Sequence, residues 1–131
     1  MNQNLKSIIT LDCAGLIYIE NKKLLLAYSN NKACFYLPGG KVDHGESATE
    51  ALCREVAEEL DVTIIAAELE FYMHVTAPAY GEKEGIVMEQ DCFFLHKLIQ
   101  PVATAEVAAI KYFSLEEYLA QKIPHRVRSL F

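Results

Sequence analysis

Hydrophobic and polar positions along this chain change period several times, and each change marks an element. Residues Ile8 to Glu20 (IITLDCAGLIYIE) are β-branched and partly alternating, the pattern of one or two strands. Asn21-Lys22-Lys23 predicts a turn, Leu24 to Tyr28 the next strand, and Ser29 to Lys32 a polar loop. Cys34 to Leu37 reads as a short strand running into a tight turn at Leu37-Pro38-Gly39-Gly40. From Ser47 the spacing becomes helical: Ala48, Ala51, Leu52, Val56 and Leu60 share one face. Ser47 and Glu50 have the spacing of a capping box, so the helix is expected from about Ser47 to Leu60. Val62 to Thr76 predicts a strand pair, Ala77 to Glu84 a loop, and Ile86 to Leu98 one long strand. Lys111-Tyr112-Phe113 reads as a last short strand. Ser114-Leu115-Glu116-Glu117 opens a second helix, again with a capping box, reaching about Gln121.

Strands, helix, strands, helix: this order predicts an α/β fold with a mixed β-sheet sandwiched between helices. With 131 residues, 52% of them apolar, a single domain over 1–131 is expected, large enough to bury a core. No apolar run approaches the ~18 residues of a membrane span, and MNQNLKSIIT lacks the pattern of a signal peptide. The four cysteines (Cys13, Cys34, Cys53, Cys92) form no Cys-x-x-Cys pair and their spacing suits no zinc site. They read as reduced thiols of a cytoplasmic protein. A net charge of −6 argues against a protein that grips nucleic acid, and no membrane partner is expected. It also means that an anionic substrate would have to be recruited by local cations.

Candidate chemistry concentrates in GKVDHGESATEALCREVAEELDV, residues 40–62. On a helix, Glu55, Glu58 and Glu59 lie within ~100° of one another. Like charges so crowded destabilise a helix, whereas Mg²⁺ turns the crowding into binding, because it takes carboxylate oxygens and keeps other positions for water and phosphate. A run of glutamates alone is more often a solvated face. The adjoining Gly39-Gly40, able to bring the backbone close to a ligand, and the further carboxylate Glu46 favour the metal site.

The segment resembles the signature of the Nudix hydrolases of MutT type, Gly-x5-Glu-x7-Arg-Glu-U-x-Glu-Glu-x-Gly-U, with U a bulky aliphatic residue. Gly40, Glu46, Arg54, Glu55, Val56, Glu58, Glu59 and Val62 fill eight of its nine defined positions. The ninth, a glycine, is here Asp61, whose left-handed conformation costs more than glycine's; the departure should touch local stability rather than chemistry. The element order matches along roughly the full chain, but residue-level specificity is confined to 37–62. The resemblance implies an α/β/α sandwich and a pyrophosphohydrolase that uses Mg²⁺, with Mn²⁺ able to substitute. It implies Glu58, Glu59 and the Gly39 carbonyl as metal ligands, and Glu55 as ligand or general base. Arg54 would orient a catalytic carboxylate through a bidentate pair, against the simpler alternative of an i,i+4 ion pair with Glu50. Glu46 would support the ligands from behind or hold an additional metal ion. A distal carboxylate from the loop before the last strand completes such sites; Glu106 is the candidate and a second contender for the base, with Glu82, Glu84 and Glu89 as competitors.

Substrate signals are thinner. The expected substrate is a small nucleotide, and no residue can be assigned to binding it. Tyr28, Phe35, Tyr36, Tyr72, Tyr80 and Phe94 could wall a base, though aromatic strand residues are more often core. Lys41 and His44 could touch phosphates, with plain solvent exposure the simpler account. Pro78 and Tyr80 lie sixteen and eighteen residues beyond Val62. Within the family the first position is associated with ADP-ribose and the second with dinucleoside polyphosphates, so the two signals cancel. The short chain leans toward a (d)NTP pyrophosphatase releasing NMP and pyrophosphate. The alternatives are an ADP-ribose, NDP-sugar or dinucleoside polyphosphate hydrolase, and, in a different class, a non-catalytic nucleotide-sensing domain. Monomer and homodimer are both compatible with the sequence.

Overall fold

The computed structural model describes residues 9–79 and 85–120. Eight strands and two helices appear among them: β1 (Ile9–Ile17), β2 (Ile19–Glu20), β3 (Lys23–Ser29), β4 (Cys34–Tyr36), β5 (Gly39–Lys41), α1 (Ala48–Leu60), β6 (Leu69–Pro78), β7 (Ile86–Leu95), β8 (Val107–Phe113) and α2 (Leu115–Ala120). The expected α/β class is borne out, with the strands divided into two four-stranded sheets. The first has the order β5-β1-β7-β6 and is mixed, β1 running parallel to β7 and the other pairs antiparallel. In the second, β3 pairs with β8 on one side and with the short β2 and β4 on the other, all antiparallel.

Alternation of side chains sends the central strands into two cores. Ala14, Leu16, Leu25, Phe93 and Leu95 pack with Leu52, Val56 and Leu60 of α1. Ile17, Leu24, Leu26, Met88, Cys92 and Phe113 pack with Tyr118 of α2. A strand covered on both faces needs apolar side chains at successive positions, which is why β1 and β3 read as apolar runs rather than as clean alternation. All four cysteines are free thiols. No helix among the described residues is long and apolar enough to cross a membrane.

Several expected boundaries move. Leu37 to Gly40 is not simply a turn: the chain bends at Pro38, and Gly39–Lys41 then pairs with β1 as β5. Val62 to Thr76 gives one strand, not two. Val62 and Ile64 alternate into the α1 core, but this stretch has no ladder partner, and a 3-10 turn at Ala66–Glu68 precedes β6. Burial alone produced the period of two there. β6 runs through Pro78, shortening the expected loop; residues 80–84 of that loop lie outside the described residues. β7 stops at Leu95, where the chain leaves the ladder and exposes Leu98. β8 begins at Val107, four residues before the expected start, because β3 offers it a full-length partner. α2 carries the expected Ser114–Glu117 capping box, and its expected end at Gln121 lies outside the described residues.

Candidate active site

The site is built on α1. Ser47 caps the helix: its hydroxyl accepts from the Glu50 N–H at 3.1 Å while the Glu50 carboxylate accepts from the Ser47 N–H at 2.8 Å. That use of Glu50 removes it as a partner for Arg54. The Arg54 guanidinium instead grips Glu46 side-on, Nε to Oε2 at 2.7 Å and Nη2 to Oε1 at 3.0 Å. Its remaining hydrogens reach Glu55 Oε2 at 3.1 Å and the Lys41 carbonyl at 3.1 Å, with Glu58 at 3.5 Å and Asp43 at 3.3 Å. Arg54 is thus the hub that ties the α1 carboxylates to the 41–46 segment. The pairing, led by the bond from Arg54, holds Glu46 below the usual carboxylate range. Glu46 is thus held by Arg54 and by the Asp43 N–H, which donates to its Oε1 at 2.8 Å, and does not line the cavity that Glu55, Glu58 and Glu59 share.

Two glycines fit β5 against its neighbours. Gly39 has φ +140°, and a Cβ there would lie 2.0 Å from the Ala14 carbonyl oxygen. A Cβ on Gly40 would lie 2.5 Å from the Glu55 carboxyl carbon, so the Glu55 carboxylate rests directly on the backbone of β5. The Gly39 N–H donates to Glu59 Oε1 at 3.1 Å. Close backbone approach, the reason to suspect the double glycine, is real, but it occurs in a strand.

The far end of α1 brings in the distal carboxylate. Asp61 adopts the left-handed conformation expected of it (φ 56°, ψ 42°) and ends the helix. The orphan carbonyls of the last turn are met by a strap: Val102 N–H donates to the Leu60 carbonyl and Thr104 N–H to that of Glu59, while the Thr104 hydroxyl donates to the carbonyl of Glu58. Two residues on, Glu106 lines the same cavity as Glu55, Glu58 and Glu59. Burial, then repulsion from Glu55, Glu106 and Glu58, pushes Glu59 up to about 8 against the pull of the Gly39 N–H. Burial also raises Glu55, with Arg54 opposing.

Among the described residues no three acidic, thiol or imidazole side chains are already drawn to a common point. The donor chemistry still fits a hard divalent cation: five carboxylates, Asp43, Glu55, Glu58, Glu59 and Glu106, line one cavity, and Glu59 has a single hydrogen bond among the described residues against the repulsion of three neighbours.

The cavity, about 540 Å³, is lined by these carboxylates, by Gly39 and Gly40, and by the apolar Leu11, Leu37 and Met88. Of the aromatic candidates described, only Tyr36 lines it. Tyr28 and Phe35 stack edge to face, with Phe35 continuing to Phe113 in the core, and Tyr72 stacks on Phe94. Lys41 lines the cavity and His44 is exposed in the 42–47 segment. Glu89 instead accepts hydrogen bonds from His74 and Thr76. Tyr80, Glu82 and Glu84 lie outside the described residues. Sequence reasoning missed Ser29, Lys32 and Gln90 in the lining. For Gln90 the signal was present: it is a polar residue at the same inward period as Met88 and Cys92.

A model of the NUDIX domain matches residues 10–131. The chain belongs to the NUDIX domain family. The expected membership of the Nudix hydrolases is borne out. The MutT NUDIX hydrolase from Burkholderia pseudomallei has the same fold, with a TM-score of 0.78 at 24% identity over 92% of this NUDIX chain and 94% of that one. The MutT protein from Methanosarcina mazei Go1 gives 0.79 at 21% identity, over 95% and 91%. An ADP-ribose pyrophosphatase of Methanocaldococcus jannaschii is 51% identical over 47 residues, a stretch that spans 34% of this chain and 28% of that protein.

Proposed function

We propose that the chain is a Mg²⁺-dependent nucleoside triphosphate pyrophosphatase, acting on NTPs or dNTPs and releasing NMP and pyrophosphate. The observation that carries the reading is the convergence of Glu55, Glu58, Glu59 and Glu106 on one cavity that is also lined by the apolar Leu11, Leu37 and Met88. A phosphate chain needs the first environment and a nucleoside the second. Glu58, Glu59 and the Gly39 carbonyl would hold the cation, which leaves Glu55 free to act as the base. Mg²⁺, or Mn²⁺ in its place, would neutralise non-bridging phosphate oxygens and acidify water.

The protein's own groups do the rest. Water adds to a phosphorus, the bridging P–O bond breaks, and the water's proton passes to Glu55. Burial suits Glu55 to that role by raising its basicity, and the Gly40 backbone and Arg54 fix its position. Arg54 is a positioning residue, anchored by Glu46. Glu106, delivered by the strap, completes the acidic wall. Lys32 and Lys41 put positive charge on the same cavity.

One observation favours a second reading, ADP-ribose hydrolysis: the 51% identity to a segment of an ADP-ribose pyrophosphatase. Incubation with Mg²⁺ and a panel of NTPs, dNTPs, ADP-ribose, NDP-sugars and dinucleoside polyphosphates, with products identified by chromatography, separates the two. NMP and pyrophosphate from a triphosphate, at higher kcat/KM than for ADP-ribose, is the expected result. AMP and ribose 5-phosphate as the dominant products would establish the second reading. Nucleotide binding without turnover would indicate a sensing domain.

A further inference from the structure

Ser29 and Gln90 are the two buried polar side chains among the described residues, at 2% and 6% exposure, and both line the cavity. Ser29 closes the turn after β3, whereas the Gln90 amide has little hydrogen bonding to hold it. Ser29 Oγ accepts from the Asn31 N–H at 3.2 Å, which leaves its own hydrogen for an acceptor in the cavity. Gln90 stands on β7 among apolar neighbours, and its amide makes one hydrogen bond among the described residues: Nε2 to Cys92 Sγ, a weak acceptor, at 3.4 Å. The nitrogen end is packed against β1, where a Cβ on Gly15 would lie 2.7 Å from it. The oxygen end accepts no hydrogen bond among the described residues and, unlike the Tyr118 hydroxyl, is not sealed from solvent, so it is open to the cavity. An amide whose stem and nitrogen end are packed in place, with its acceptor open to the cavity, is a fixed polar group of the kind that orients a bound ligand.

We propose that Gln90 reads the nucleobase, its Oε1 accepting from an exocyclic amine, so that the enzyme prefers adenine and cytosine nucleotides over their keto counterparts. The inference rests on the reading that the cavity takes a nucleotide, and adds to it the group recognised. Leu11, Leu37 and Met88 line the same cavity as Gln90 and the carboxylates and supply apolar contact for the ring. A site built to hydrogen-bond one group discriminates strongly against the analogue lacking it, because the buried partner is then left unpaired.

The test compares pairs that differ only at amine against keto: ATP with ITP, and CTP with UTP, read as kcat/KM with Mg²⁺. Binding of AMP and IMP by calorimetry supplies a readout that needs no turnover. The wild type should favour the amino member by about tenfold or more. Gln90→Met, close in shape and without the amide, should bring the ratio to within about threefold, chiefly by raising KM for the amino substrate. Gln90→Glu keeps the acceptor and should keep the direction of preference, which also covers the case in which Gln90→Met fails to fold. Equal use of both members by the wild type, a preference for keto bases, or an unchanged ratio in Gln90→Met would overturn the assignment while leaving the hydrolase reading intact. Failure to bind or turn over any of these nucleotides would overturn both.

Discussion

The Glu55 carboxylate lies on the backbone of Gly40, at the point where any side chain at position 40 would stand. This explains why a glycine fifteen residues upstream of Glu55 belongs to the same chemical unit. The contact involves the far end of a flexible side chain, so Gly40→Ala should displace the carboxylate while costing little stability. We expect kcat to fall by about 10²-fold with Tm nearly unchanged. Gly39→Ala should behave in the opposite way. Its Cβ would meet the Ala14 backbone, and its φ of +140° disfavours any side chain, so about 3 kcal/mol or more of stability should be lost. Urea denaturation beside steady-state kinetics reads both; equal stability losses would show that the Glu55 contact is not specific.

Arg54→Lys keeps the charge and removes the fork. Lysine cannot bond Glu46 through two parallel hydrogens while also reaching Glu55 and the Lys41 carbonyl. Activity should drop about 10- to 100-fold, the range seen when groups that orient metal ligands are changed. A Lys variant at wild-type rate would mean that charge alone is needed.

Glu55→Gln and Glu106→Gln separate the two candidate bases. Removing a general base costs typically about 10² to 10⁴ in kcat, so Glu55→Gln should show the larger loss and Glu106→Gln a smaller one. Retention of most turnover in Glu55→Gln would move the role to Glu106.

The pH dependence of the metal-free protein has a definite sign at Glu59. In the folded chain this carboxyl holds its proton up to about 8, against an ordinary value of 4.5. Between those values the folded state binds more protons than the unfolded one, so stability from this group falls as pH rises. It is intact below 4.5 and gone above about 8. Thermal melts in chelator should show Tm declining across this window, and Glu59→Gln should flatten the decline. Added Mg²⁺ should restore Tm most at the alkaline end, where the ionised carboxylates are available to it. A Tm gain independent of pH would show that Glu59 is not a ligand.

Asp61→Gly tests the one departure from the signature. Asp61 is left-handed, which glycine adopts without the Cβ penalty but with a larger loss of chain entropy. A net gain of about 0.5 kcal/mol is expected from equilibrium unfolding, with kcat/KM unchanged. A loss of activity would give the aspartate a chemical role.

What the chain made legible on its own was whatever repeats within a turn or two. The Ser47–Glu50 capping box, the apolar face of α1 and the Glu55, Glu58, Glu59 stripe follow from spacings of three and four, which backbone geometry converts directly into neighbours. Family and reaction class followed from the same short stretch. Residues 62–65 show the limit: they alternate as a strand does, yet join no strand ladder among the described residues, because burial against a helix imposes the same period as a ladder. Tertiary structure alone decided the partners. Arg54 takes Glu46 rather than Glu50, since the capping box had already occupied Glu50. Glu106 enters the site because a strap satisfies the carbonyls at the end of α1, and Gln90 faces the cavity because β7 lies beside β1 in one particular register. Sequence carries local period. Which distant groups meet depends on strand register and on the need to satisfy buried polar atoms, and those are fixed only when the whole chain has packed.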